Sequence, residues 1–191
     1  MSALETIFAR RSIGRLTDPA PSPNDLDTIV RAGAAAPDHK SLRPWRFVVL
    51  DGPAKDAFGE VLAEAYTQRC VDCDKDEVPA KREKERTKLG RAPLVVVVAA
   101  IHRGDAVPFV EQFAAAAAAA QNMLLAATEL GYGSMWRTGD PAYDEHVKAA
   151  LGLRPEDAIV GFLYLGTPHP DGDKPANDPD TSDVMMRWSP A

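Results

Sequence analysis

The chain of 191 residues has two cysteines, four histidines and no apolar run of bilayer length, so several functions lack their material. A membrane helix needs about 20 consecutive apolar residues. The longest soft run, "FAAAAAAAQNMLLAA", is mostly alanine and is interrupted by Gln121 and Asn122. No membrane partner is expected. The start, "MSALETIFARRS", lacks the apolar core and small-residue cleavage site of a secretory signal, so the expected location is cytoplasmic. Cations are also in short supply. Lys and Arg number 22 against 28 Asp and Glu, a formal charge of −6. No long basic face can dominate the field, and no nucleic-acid partner is expected.

Recognisable catalytic signatures are missing too. No GxGxxG follows a strand, and there is no GxxxxGK[ST], GxSxG or HExxH. His39, His102, His146 and His169 are scattered. His146 and His169 read as surface residues and His102, in "IHRGD", as a turn residue. Cys70 and Cys73, in "RCVDCDKDE", follow a helical pattern and sit among acids. A redox CxxC opens a helix, where the dipole lowers the thiol pKa. This pair reads as two incidental thiols on a polar helix end. With no second CxxC and no HxxxH, no metal site is expected. A chain this short of reactive side chains leaves its chemistry to a cofactor.

The material that is present is ordinary for a globular protein, 45% hydrophobic and 26% charged. It suffices for one domain over residues 1–191. Ser2 and Glu5 form a capping box ahead of Leu4, Ile7 and Phe8. Ser22 and Pro23 open a second helix, which Pro37 stops. "RFVVL" predicts a strand, and Ala54, Phe58, Val61, Leu62 and Ala65 a helix face. Lys75 to Arg91 has almost no apolar face and reads as a solvated helix or lid. "LVVVVAAI" predicts a strand buried on both sides. A long helix over Pro108 to Leu130 ends at Gly131. "YGSMWRTG" and "AIVGFLYLG" predict two more strands, with one helix between Asp140 and Gly152. This order describes an α/β layer fold.

Two cationic clusters stand out against the acidic background. One is Arg10, Arg11 and Ser12, with Arg15. The other is His39, Lys40, Arg43 and Arg46 around Pro44 and Trp45. Arg137 and Thr138 directly follow Trp136. A cation pair is also what a plain helix C-terminus prefers. A tryptophan beside cations also reads as a core anchor with a solvated rim. Cations with hydroxyls suit a phosphate and a polyhydroxy chain, and an aromatic wall suits a flat ring.

Four segments, in order, carry a resemblance: "RRS", "RAGAAAPDHKSLRPWRFVV", "LAATELGYGSMWRTG" and "IVGFLYLGTP". Together they resemble the nitroreductase-like FMN flavoprotein family, and most closely its short YdjA-like subgroup of NAD(P)H nitroreductases. The resemblance implies an α+β fold of three α/β/α layers around a central, mostly antiparallel sheet, in an intertwined homodimer. It implies one non-covalent FMN per subunit at the dimer interface and NAD(P)H as co-substrate. It assigns Arg10, Arg11 and Ser12 to the ribityl-phosphate and flavin edge. His39 goes to the same flavin from the partner chain, and Trp136, Arg137 and Thr138 line it. Gln121 to Ala126 matches a stretch proposed for the nicotinamide nucleotide. The implied activity is a ping-pong oxidoreduction in which flavin N5 takes a hydride and a small electron-poor acceptor, a nitroaromatic or quinone, takes the electrons. No side chain is then catalytic. The alternatives are an FMN-binding or storage protein with little turnover, or another flavin reaction such as dehalogenation. Two departures stand out. Ser41 and Arg43 replace an Asn and a Gln common in relatives. Gly14 replaces a basic residue two positions after the Ser.

Overall fold

In a computed structural model, residues 2–71, 73–172 and 179–190 are described. The chain opens with helix α1 (Ala3–Ala9), whose capping box forms as the sequence predicts. The Ser2 hydroxyl accepts from Glu5 N–H, and the Glu5 carboxylate accepts from Ser2 N–H. A two-residue strand β1 (Leu16–Thr17) leads to α2 (Pro23–Ala34), capped by Ser22 with Pro23 in the first turn. Strand β2 (Trp45–Asp51) runs directly into α3 (Gly52–Arg69). Then come α4 (Val78–Thr87), β3 (Leu94–Ala100), α5 (Phe109–Glu129), β4 (Gly133–Arg137), α6 (Glu145–Ala150) and β5 (Ala158–Pro168).

All strand pairings are antiparallel. β5, at 11 residues, is the organising strand. It pairs with β3 over Ala158–Leu165, with β4 over Phe162–Gly166 and with β1 at its C-terminal end, while β2 extends the sheet beyond β3. Every residue of β3 is buried. Its alternation sends Val95, Val97 and Ala99 into one core layer with Phe58, Leu62, Phe162 and Tyr164. Val96 and Val98 enter the other, with Ile29, Met123, Leu124 and Leu163. A strand with apolar residues at every position therefore has helices on both sides, which gives the three-layer α/β/α arrangement.

One sequence expectation changes here, and one pair of alternatives is decided. The segment after β4 is a 3₁₀ turn at Asp140–Tyr143 and then α6, not one helix. Asp144 separates them, because its carboxylate accepts from Val147 N–H and so starts a new helix. Within the polar segment 75–91, the solvated helix α4 docks on α3, and a 3₁₀ turn at Lys88–Arg91 follows it. The fit requires Gly59, because a Cβ there would stand 2.2 Å from the Arg86 carbonyl oxygen. Arg82 and Arg86 pair with Glu60 across the same contact.

Cys70 and Cys73 are not incidental thiols. They are joined as a disulfide at the end of α3. Their proximity follows from the chain leaving the helix at Cys70, which turns Cys73 back toward it.

Candidate cofactor site

The segment after α1 is laid against β4. Arg10 caps α1 with its N–H on Thr6 O, Ser12 bridges Ser134, and Ile13 N–H donates to Ser134 O at 2.9 Å. His169 N–H then donates to Arg15 O, tying the same segment to the end of β5. The result is a hollow of about 390 Å³ lined by Arg11, Ile13, Thr128, Tyr132, Ser134 and His169 among others. Tyr132 is fixed there because its hydroxyl donates to Asp25 at 2.8 Å, which holds the phenol above its ordinary pKa. Ser134 is 1% exposed, and among the described residues its Oγ has no hydrogen-bond partner. A buried hydroxyl without a partner costs about 1–3 kcal/mol. A polar ligand in this hollow would relieve that cost.

Arg137 and Thr138 lie at the other end of β4 and on the opposite face of the sheet from Trp136. They line a small pocket of about 60 Å³ with Lys88, Leu89, Phe162 and Tyr164. The Arg137 guanidinium stands 5.9 Å over the Tyr164 ring. Burial pushes the Tyr164 phenol up to about 12, so it stays neutral and available as a donor. Trp136 instead packs across β5, its indole N–H donating to Val160 O at 3.2 Å. The contact depends on Gly161, where a Cβ would lie 2.2 Å from the indole nitrogen. A third hollow, of about 230 Å³, gathers Gly14, Arg15, Thr17, Arg91 and His169.

Lys88 and Arg91 were missed in the sequence. They close a segment with no apolar periodicity, and only the docking of α4 on α3 brings them to β5. Arg91 puts positive charge in the hollow that Gly14 lines, and Lys88 puts it in the pocket of Arg137 and Tyr164.

His39 is elsewhere. It stands by the start of α5, its Nδ1 2.7 Å from Glu111 Oε2. Arg10 lies near the other end, where Thr6 donates to Glu129. Glu111 and Glu129 are 18 residues apart on one helix, about 27 Å along its axis. The loop that carries His39 is strained. Lys40, Ser41 and Arg43 have φ of 59°, 53° and 48°, and no other described non-glycine residue has a positive φ. Asp38 holds the turn by accepting from Arg43 N–H at 2.6 Å. Such strain persists where surrounding structure over-determines it, often at functional sites.

Of the stretch Gln121 to Ala126, Met123 and Leu124 are core residues. Asn122, Leu125 and Ala126 line an apolar hollow of about 450 Å³ against α1 and α2. The apolar face of α1 is left open, with Leu4, Ile7 and Phe8 all exposed. Val110 and Phe113 on α5 are exposed as well.

The sequence model of the family described as "Nitroreductase family" matches residues 7–167. The chain belongs to the nitroreductase family. It is 41% identical over 181 residues to a relative from Escherichia coli K12 named "Putative NAD(P)H nitroreductase YdjA", covering 94% of this chain and 96% of that one. Two solved structures share the nitroreductase fold over the whole chain. The nitroreductase-like family protein from Bacillus cereus has a TM-score of 0.80 at 22% identity and is covered to 97%. A protein from Desulfovibrio desulfuricans described as "a putative nitroreductase in complex with FMN" has a TM-score of 0.73 at 26% identity and is covered to 99%. No helix among the described residues is long and apolar enough to cross a membrane.

Proposed function

We propose that this nitroreductase-family chain is a cytoplasmic, FMN-dependent NAD(P)H oxidoreductase, residues 1–191 forming one FMN-binding domain of a homodimer. The observation that carries the reading is the buried Ser134 hydroxyl, without a partner among the described residues, in a hollow shared with Arg11, beside a β4 strand that ends at Arg137 with Thr138 next. Cations and an unsatisfied hydroxyl fit a phosphate on a polyhydroxy chain. FMN, when bound, supplies the two-electron chemistry. The E. coli relative's name and the Desulfovibrio complex support the choice of FMN and NAD(P)H.

In this reading Arg10, Arg11 and Ser12 hold the phosphate end, and the Ser134 hydroxyl gains its partner there. Trp136 fixes the β4 backbone, and Thr138 and Arg137 line the ring. Arg137 and Lys88 place positive charge where it offsets the negative charge that arrives with the electrons. The nearby Tyr164 phenol stays protonated. The acceptor is a small electron-poor molecule such as a nitroaromatic or quinone, taken up after the nicotinamide nucleotide leaves. No side chain is required as acid or base.

The homodimer reading rests on apolar surface and on distance. Leu4, Ile7, Phe8, Val110 and Phe113 form exposed apolar positions at both ends of α5. Antiparallel packing of α5 on its copy covers both ends and brings the partner's His39 toward Arg10.

The test is direct. Acid precipitation of the purified protein should release FMN at one per chain, and NADH or NADPH without oxygen should bleach the bound flavin within seconds to minutes. A colourless protein that takes up no FMN rejects the cofactor. A flavin that stays oxidised under both nucleotides rejects the reductase and leaves a storage protein.

A further inference from the structure

Cys70 and Cys73 lie outside every residue set used above. We propose that they form a two-electron thiol–disulfide exchange site whose reaction partner is a small dithiol. The proposal rests on none of the FMN reading.

The two sulfurs are bonded across a three-residue separation, with Cα atoms 5.1 Å apart. Their surroundings are unequal. Cys73 is exposed, whereas Cys70 is half-buried as the residue that ends α3. The Tyr66 hydroxyl lies 3.2 Å from Cys70 Sγ, one helical turn back. Both cysteines face a hollow of about 370 Å³, bounded by Tyr66, Arg69, Asp140 and Tyr143. That volume admits a small organic thiol.

This asymmetry sets the direction of attack. A thiolate of the partner attacks the exposed Cys73 sulfur. The S–S bond breaks, and Cys70 leaves as a thiolate that the Tyr66 O–H stabilises and that then takes a proton. The partner's second thiolate attacks its own sulfur in the mixed disulfide, forming the partner's disulfide and releasing Cys73, which takes a second proton. Two electrons and two protons enter the protein, and the dithiol is oxidised. The reverse sequence closes the bond with an oxidised dithiol.

The partner's class follows from the local field. Cys70 sits at a helix C-terminus, where the dipole disfavours an anion. Asp74, Asp76 and Glu77 follow within the same turn and connection. This placement is the reverse of a CxxC that opens a helix, and it favours the oxidised form. A monothiol that opens the bond leaves Cys70 close to the mixed disulfide, so reclosure outruns a second encounter. A dithiol completes the exchange within one complex, at high effective concentration.

The experiment uses the full-length wild-type protein and the Tyr66→Phe variant, each equilibrated with oxidised dithiothreitol and then desalted. Denatured wild type should show no thiol to a maleimide. Excess dithiothreitol should expose two per chain with a gain of two hydrogens in mass. Glutathione at the same thiol concentration should leave most chains closed. Tyr66→Phe should reach the same end point about five- to tenfold more slowly, the loss of one hydrogen bond to a developing charge. Two thiols after oxidation, a disulfide between chains on a non-reducing gel, opening by glutathione as complete as by dithiothreitol, or an unchanged rate in Tyr66→Phe would each overturn the proposal.

Discussion

A mixed dimer of Arg10→Ala and His39→Ala chains contains one site with both substitutions and one with neither, provided each site takes Arg10 from one chain and His39 from the other. A single cofactor that met both residues would need this division. Within one chain, His39 is turned to Glu111 and the helix that precedes Arg10 is tied through Thr6 to Glu129, two positions about 27 Å apart along α5. No side chain spans that distance, so one cofactor meets both only if two chains build the site. The homodimers of either variant carry a defect in both sites. The two variants are unfolded and refolded together at equal concentration. Random pairing makes half of the dimers mixed, and half of their sites are intact. Recovered NAD(P)H oxidation should approach about a quarter of wild type when the sites act independently. The assay is turnover with a quinone acceptor, with native mass spectrometry confirming the mixed dimers. If mixed dimers form and activity stays at the sum of the two parents, the division of the site between chains is refuted. FMN binding would be untouched by that result.

Two further predictions concern stability. The buried Asp157 carboxylate is pushed up by burial, but Arg154 and the N–H groups of Arg154 and His102 outweigh this and hold it down to about 2. A folded pKa below the ordinary 3.8 gives stability that is present above about pH 4 and lost as pH falls toward about 2, worth about 2 kcal/mol. Urea unfolding of Asp157→Asn should therefore trail wild type at pH 7, and the gap should narrow steadily below about pH 4. A gap independent of pH would refute the assignment. Gly59→Ala gains about 1 kcal/mol of helix propensity but drives a Cβ to 2.2 Å from the Arg86 backbone oxygen. Overpacking against backbone costs about 1–3 kcal/mol, so the net effect should be destabilising in chemical unfolding. A more stable variant would show that α4 is free to move off α3.

Local chemistry was the most legible part of the sequence. Ser2 with Glu5, Ser22 with Pro23, and Gly131 each mark a helix end through a cap that needs no tertiary information. The apolar runs of β3 and β5 announce burial on both faces, and with it the layers. The junction at Asp144 was hidden because an N-cap acid inside a helix-like pattern differs from a surface acid only by its hydrogen bond to Val147 N–H. The site was legible as clusters but not as an assembly. Arg10 to Ser12 and Trp136 to Thr138 were singled out, and the bridge between Ser12 and Ser134 lays the first cluster against β4, the strand that leads to the second. Lys88 and Arg91 sit in a stretch whose periodicity says solvent. Leu4, Ile7 and Phe8 show the converse limit. Spacing records that a helix face is apolar and says nothing about which chain covers it.

The loop from Lys40 to Arg43 bears on how this protein would change under selection. Three left-handed residues with side chains are a standing cost that glycine or asparagine would reduce. A library selected for heat resistance alone should therefore find glycine at positions 40, 41 and 43 early. The same library selected for turnover should hold out against it if the backbone there must remain rigid beside a second chain. Disagreement between the two selections, position by position, would measure how much of the strain is kept for the work of the site.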